Sequence, residues 1–247
     1  MSTLKNTTLW VSIIAAIAVI AFASIFAAAY RYKYNVSQTI SVTGNAMQDF
    51  ESDIVKWSAS FNRKSTNLSE ASQQLEQDRV LVRAFLTGKQ ISEAEIVFDA
   101  VRINREFSYQ TDANGNRFNT FTGYSLTQKV SIDSRDLDQV ENVSREISEL
   151  ISQGIELSSD APNYYFSGLE DLKLELISAA SENAKSRAEN IAQRAGTSLG
   201  ALTKADLGVF QITGQNENEE YSYGGTFNTR SRKKTANITV KTNYLTR

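Results

Sequence analysis

The chain has no cysteine, no histidine and a single proline among its 247 residues. Without cysteine there is no disulfide and no thiolate nucleophile, and the redox compartment cannot be read from thiols. Without histidine there is no Ser-His-Asp triad, no imidazole metal ligand and no histidine pH switch. Zinc held by Cys or His is excluded for the same reason. The lone proline, Pro162, leaves no Pro-rich spacer. Charge of one sign is also missing. Lys and Arg number 26 against 28 Asp and Glu, so the basic footprint of a nucleic-acid binder is absent. Glycine-rich phosphate loops are lacking too. Tyr223-Gly-Gly-Thr226 has neither a strand-to-helix setting nor a following lysine. No cofactor or metal is expected.

What is present is one long apolar run. Leu9–Tyr30 reads LWVSIIAAIAVIAFASIFAAAY, without a charge, a proline or a glycine. As a helix it is roughly 33 Å long, enough for a hydrocarbon core of about 30 Å. A buried core helix would keep a polar face, and this run has only Ser12 and Ser24. Two readings remain, an uncleaved signal anchor and a signal peptide cleaved near Ala27-Ala28-Ala29. The length favours the anchor. Trp10 and Tyr30 stand at its ends, where amphipathic rings prefer the headgroup level. Lys5 on one side and Arg31 and Lys33 on the other nearly balance, so charge gives almost no orientation. The expected organisation is a tail at 1–8, a transmembrane anchor at 9–30, a connector at 31–37 and a soluble domain at 38–247, with two subdomains as an alternative.

The soluble part alternates between strand and helix patterns. Gln38–Asn45 reads as a strand ended by Gly44-Asn45. Ile54–Asn62 alternates Val55, Trp57, Ala59 and Phe61 with polar residues, a half-buried strand. Asn67 and Glu70 form a capping-box pattern. The helix after it runs to about Thr87, with Leu68, Ala71, Leu75, Val82 and Phe85/Leu86 inward, and stops at Gly88. Ile96–Gln110 and Phe118–Ile132 read as a long hairpin around Asp112–Asn116. Ser134 is the expected cap of the next helix, which carries Leu137, Val140, Ile147, Leu150 and Ile151 inward and ends before Gly154. Ile155–Phe166 is a strand broken at Ala161-Pro162-Asn163. Leu169–Ala195 is the longest soluble helix, with a stripe of Leu172, Leu176, Ala180, Ala184, Ala188, Ile191 and Ala195. Lys204–Gln215 and Thr235–Leu245 close the chain as strands. The expected fold class is α+β, with antiparallel sheets and about three helices behind one N-terminal transmembrane helix.

Six stretches in this order resemble one known family. They are Ile40–Gly44, Asp53–Trp57, Asp78–Leu86, Tyr164–Leu169, Asn183–Glu189 leading to Gly196–Leu199 and Gly208, and Val240–Tyr244. On them the chain is similar to the SIMPL-domain (DUF541) proteins, in the membrane-anchored bacterial subgroup. The resemblance implies an α+β envelope protein, periplasmic in diderm bacteria, without an established catalytic site. It also implies ring- or channel-like homo-oligomers and a loose link to stress tolerance. The segment 216–234 is not part of the resemblance.

The carboxylates supply the remaining candidates. Asp49, Glu51 and Asp53 cluster before a strand, and Asp133, Asp136 and Asp138 cluster at a helix start. Neither is singled out as a catalytic pair, and capping accounts for the second. Glu217, Glu219 and Glu220 face Arg230, Arg232, Lys233 and Lys234 across a polar loop. These charges are expected to pair, within a hairpin or between subunits, and to set register. The run Arg230–Lys234 as an anionic-lipid site is the weaker alternative. Tyr164-Tyr165-Phe166 reads as core covering a helix end.

The sequence therefore points to a non-enzymatic protein of the bacterial inner membrane with its soluble domain in the periplasm. It is expected to assemble with itself into a large closed ring, cage or channel-like homo-oligomer with a structural, scaffolding or compartment role. A periplasmic binding module for a small ligand or a partner membrane protein is the alternative. A hydrolase working through carboxylates is the third reading.

Overall fold

The computed structural model describes residues 2–34, 39–111 and 117–247, with side chains over 10–30, 39–111 and 117–247. Helix α1 (Ser2–Tyr34) contains the apolar run. Its stretch Trp10–Tyr30 is long and apolar enough to cross a membrane, and none of it is buried against protein. The rest is mixed α+β with two sheets. The strands are β1 (Thr39–Glu51), β2 (Ile54–Ser65), β3 (Ile96–Phe98), β4 (Arg102–Thr111), β5 (Arg117–Ser134), β6 (Glu156–Ser159), β7 (Asn163–Tyr165), β8 (Leu199–Leu207), β9 (Gln211–Gly214), β10 (Thr226–Phe227) and β11 (Lys233–Thr246). Three helices accompany them: α2 (Leu68–Gly88), α3 (Leu137–Glu146) and α4 (Leu169–Arg194). The expected turn at Asp112–Asn116 lies outside the described residues.

The chain divides into two compact units. The larger, 43–184 with 207–240, holds both cores. Its first core lies on a sheet ordered β3-β5-β2-β6, with β4 also on β5 and β7 on β2. Strand β2 sits at the centre because its alternation is strict. Val55, Trp57, Ala59 and Phe61 are all buried, and each side of the strand finds an antiparallel partner. Helices α2 and α3 cover that face with Ala71, Leu75, Val82, Leu86, Val140 and Val143. The second core packs Leu172, Leu176 and Ala180 of α4 on Ile212, Ala236 and Ile238 of the other sheet, ordered β1-β11-β9-β10. In the smaller unit β8 pairs with the end of β11, and Ser198 and Arg247 exchange backbone bonds of 2.9 Å.

Several expectations need correction. Strand β1 does not stop at Gly44 but runs on to Glu51. A Cβ at Gly44 would strike the Ala180 carbonyl and the Ala184 backbone nitrogen, so this glycine is where α4 lies directly on the strand. The long strand 96–110 is two pieces, β3 and β4, interrupted at 99–101. Asn67 caps α2 as expected, accepting from the Ser69 and Glu70 amides, but Glu70 bonds Ser65 Oγ at 2.7 Å instead of closing a box. The cap of α3 is Asp136, which accepts from Gln139 N at 3.0 Å. Ser134 accepts from Asp136 N and steadies that cap. Leu68, Ile151 and Ile191 are exposed, not inward. On α4 the buried stripe steps by four throughout, 172-176-180-184-188-192, so Ala192 replaces Ile191 and Ala195. The ladders of β2 with β5, β6 and β7, of β5 with β3 and β4, and of β11 with β9 are antiparallel, and the short β9–β10 contact is parallel.

Candidate functional surfaces

The acidic cluster before β2 is spent on local structure. Asp49 accepts from Gln215 Nε2 at 2.9 Å and Thr235 Oγ1 at 2.6 Å. Glu51 pairs with Arg232 at 2.7 Å. Asp53 accepts from both the amide and the hydroxyl of Ser167, just before α4. Desolvation alone would raise its pKa, but these two bonds prevail and lower it. In the second cluster Asp133 pairs with Lys56 at 2.8 Å, Asp136 caps α3, and Asp138 pairs with Arg232. Among the described residues no group of three or more Asp, Glu, His or Cys side chains is placed to hold a metal.

The two charged arms of 216–234 are not joined by an ion pair among the described residues. Glu217 accepts from Asn228 Nδ2 at 3.3 Å and from Ser231 Oγ at 2.5 Å. Glu219 accepts from the same Asn228 amide and from Gly214 N at 3.2 Å. The acidic arm is thus folded around a buried asparagine. Arg232 instead reaches Glu51, Asp138 and Glu141, and its bond to Asp138 chiefly raises its pKa. Glu141 also accepts from the Tyr164 hydroxyl at 3.0 Å. Burial first, and that bond second, push the Tyr164 phenol up to about 12. Lys234 is 1% exposed and donates to the Tyr164 carbonyl at 2.5 Å, and burial lowers it to about 8. Glu220, Arg230 and Lys233 are exposed. Glu217 is exposed as well, but its carboxylate is engaged by Asn228 and Ser231.

Two features escaped the sequence reading. The first is an arm. Strand β2 ends at Ser65, opposite Tyr124, while β4 and β5 continue together to Thr111↔Arg117. Beyond Gly123, therefore, the sheet is two strands wide for about 20 Å. A Cβ at Gly123 would sit 2.7 Å from the Ser65 carbonyl, and a bulge at Glu106/Phe107 lies across from it. Past the bulge Phe107 packs against Phe121 at 5.9 Å, and Phe121 reaches back to Tyr124 at 5.1 Å. Ile103, Phe107, Tyr109, Phe118 and Phe121 remain 43–77% exposed. An isolated two-stranded ribbon is marginal in water, and apolar rings raise the cost of leaving it bare. The signal was available in the sequence as a strand pair far longer than the helices beside it can cover.

The second is a cavity of about 590 Å³ at the break between β8 and β9, walled by Leu207, Val209, Ile238, Asn237, Tyr221 and Tyr223. Its signal, the Tyr-Ser-Tyr spacing at 221–223, reads in sequence only as loop.

The features define a class first: an α+β domain behind one apolar helix, carrying an exposed aromatic ribbon. The profile of the SIMPL family, described as a protein of unknown function (DUF541), matches residues 40–243. The chain belongs to the SIMPL family. No curated protein matches it.

Proposed function

We propose that the chain is a membrane-anchored assembly protein whose β4–β5 arm docks on a neighbouring copy. The observation that carries this is the exposed aromatic face at Phe107, Tyr109 and Phe121 on a ribbon with no third strand among the described residues. A second copy laid along the arm covers the rings and supplies a partner strand for the free edge of β4. Repetition of one head-to-tail contact closes into a ring when the rotation permits. Each copy brings its own Trp10–Tyr30 helix, so a closed assembly holds the membrane through many anchors at once. The anchor lies in the bacterial inner membrane with the domain in the periplasm, and the role is scaffolding or compartmentation. The experiment substitutes Phe107→Glu with Tyr109→Glu, both at exposed positions, and compares particle mass in detergent. A drop to monomers with unchanged circular dichroism supports the reading. An unchanged large particle removes the arm from it.

A further inference from the structure

The cavity at 207–209 shares no lining residue with the arm, and it has the chemistry of a binding site in its own right. Its walls carry no charged side chain, so a phosphate, a carboxylate or an ammonium finds no counter-charge there. Leu207 and Val209, both about half exposed, give it an apolar side. Tyr221 and Tyr223 give it aromatic faces, and Tyr223 is fully exposed at 104% of its reference area. A tyrosine ring held in water has no packing reason to be there.

The loop carrying these rings is fastened. Gln211, itself buried, donates from Nε2 to the Ser222 carbonyl at 2.8 Å and accepts from the Ser222 amide at 3.2 Å. Ser222 N also donates to Thr226 Oγ1 at 3.2 Å. The tyrosines on either side of Ser222 are therefore presented by a backbone fixed at one point, which lowers the ordering cost of binding. Tyr221 OH accepts from Asn237 Nδ2 at 2.9 Å, which leaves its own proton free to donate. Asn237 Oδ1, covered beneath this wall, has no donor among the described residues.

Neutral walls, aromatic faces, a free phenol proton and an unmet amide acceptor describe one ligand class. We propose that this cavity binds a neutral saccharide, with one pyranose ring on the tyrosines and its hydroxyls on Tyr221 and Asn237. The C–H face of a pyranose is weakly positive and suits the negative face of an aromatic ring. The volume is that of an ordinary small-ligand site, which falls at about 300–1,000 Å³. It takes one or two sugar rings.

The test is saturation-transfer NMR on the full chain in a zwitterionic detergent, because maltoside detergents would themselves be ligands. The probes are glucose, N-acetylglucosamine, maltose and chitobiose, with glucuronate and p-cresol as comparison ligands. The expected result is transfer to the ring protons of at least one neutral sugar. That signal should fall about fivefold or more in Tyr223→Ala and in Asn237→Ala, and stay unchanged in Val80→Ala, at an exposed position of α2. Circular dichroism checks that the variants fold, and Tyr223→Phe, which keeps the ring, should retain the signal. Transfer to none of the four sugars overturns the proposal. So does equal transfer in Tyr223→Ala, or preference for glucuronate or for p-cresol. None of these outcomes depends on whether copies associate through the arm.

Discussion

Lys234 supports a prediction whose sign changes with pH. It is 1% exposed, its ammonium reaches the Tyr164 carbonyl, and the Phe227 ring lies 5.8 Å away. Burial lowers its pKa from 10.5 to about 8. Between those two values the unfolded chain holds a proton that the folded chain has released. Stability attributable to Lys234 therefore rises with pH across that window, by up to about 1.4 kcal/mol per pH unit. Below about pH 8 both states are protonated, and the folded protein carries a constant penalty of about 3 kcal/mol. Lys234→Met removes the charge at similar volume but leaves the Tyr164 carbonyl without that donor, at about 1–3 kcal/mol. Near pH 7 the variant should be about 1 kcal/mol more stable than the native chain. Near pH 10 the order should reverse, because the native chain has shed its penalty and the variant still lacks a hydrogen bond. The assay is urea unfolding of the detergent-solubilised chain followed by circular dichroism, from about pH 7 to about pH 10. The difference between the two proteins cancels groups that titrate alike in both. A difference that is flat with pH, or a variant less stable near pH 7, would refute the reasoning. It would mean that the buried ammonium is stabilised where it sits.

Two further substitutions test the packing. Gly44→Val drives a side chain into the α4 backbone at Ala180 and Ala184, and should cost about 3 kcal/mol in urea unfolding. Gly88→Ala, with nothing within 4 Å of the added methyl, should be neutral or stabilising by up to about 1 kcal/mol. A neutral Gly44→Val would mean that α4 does not rest on β1. Asp78→Asn breaks a two-point pair with Arg63 at 2.5 and 2.7 Å, where Asp78 is 2% exposed. It should cost about 3 kcal/mol by the same measurement, and a loss below about 1 kcal/mol would make the pair a surface contact.

The strand and helix pattern was legible where one face is buried and the period is strict. Val55, Trp57, Ala59 and Phe61 named their own strand, and the four-residue step of leucines and alanines named most of α4. What stayed hidden was the partner. Gly44 reads as a strand stop until a helix from residues 169–194 is laid on it. Asp78 falls on the buried stripe of α2, between Leu75 and Val82, but its acceptance there depends on Arg63, fifteen residues away. Lys234 is in phase with Ala236 and Ile238, which are buried, and that phase was a usable signal for a buried lysine. The charged arms at 216–234 faced each other in sequence. In the fold, Asn228 draws the acids inward and Glu51, Asp138 and Glu141 take Arg232. Long-range partners decided each case. The cavity at Tyr221 is built from three separate strand and loop pieces, so no local pattern announces it.

The central claim is that the soluble domain itself assembles. Particle mass should be measured for the full chain and for a chain starting at Asn35, both in the same detergent. One large, discrete species in both is the predicted result, with the shorter chain lighter only by its missing helices. Monomers from the shorter chain would assign assembly to the anchor or the micelle, and monomers from both would contradict the claim outright.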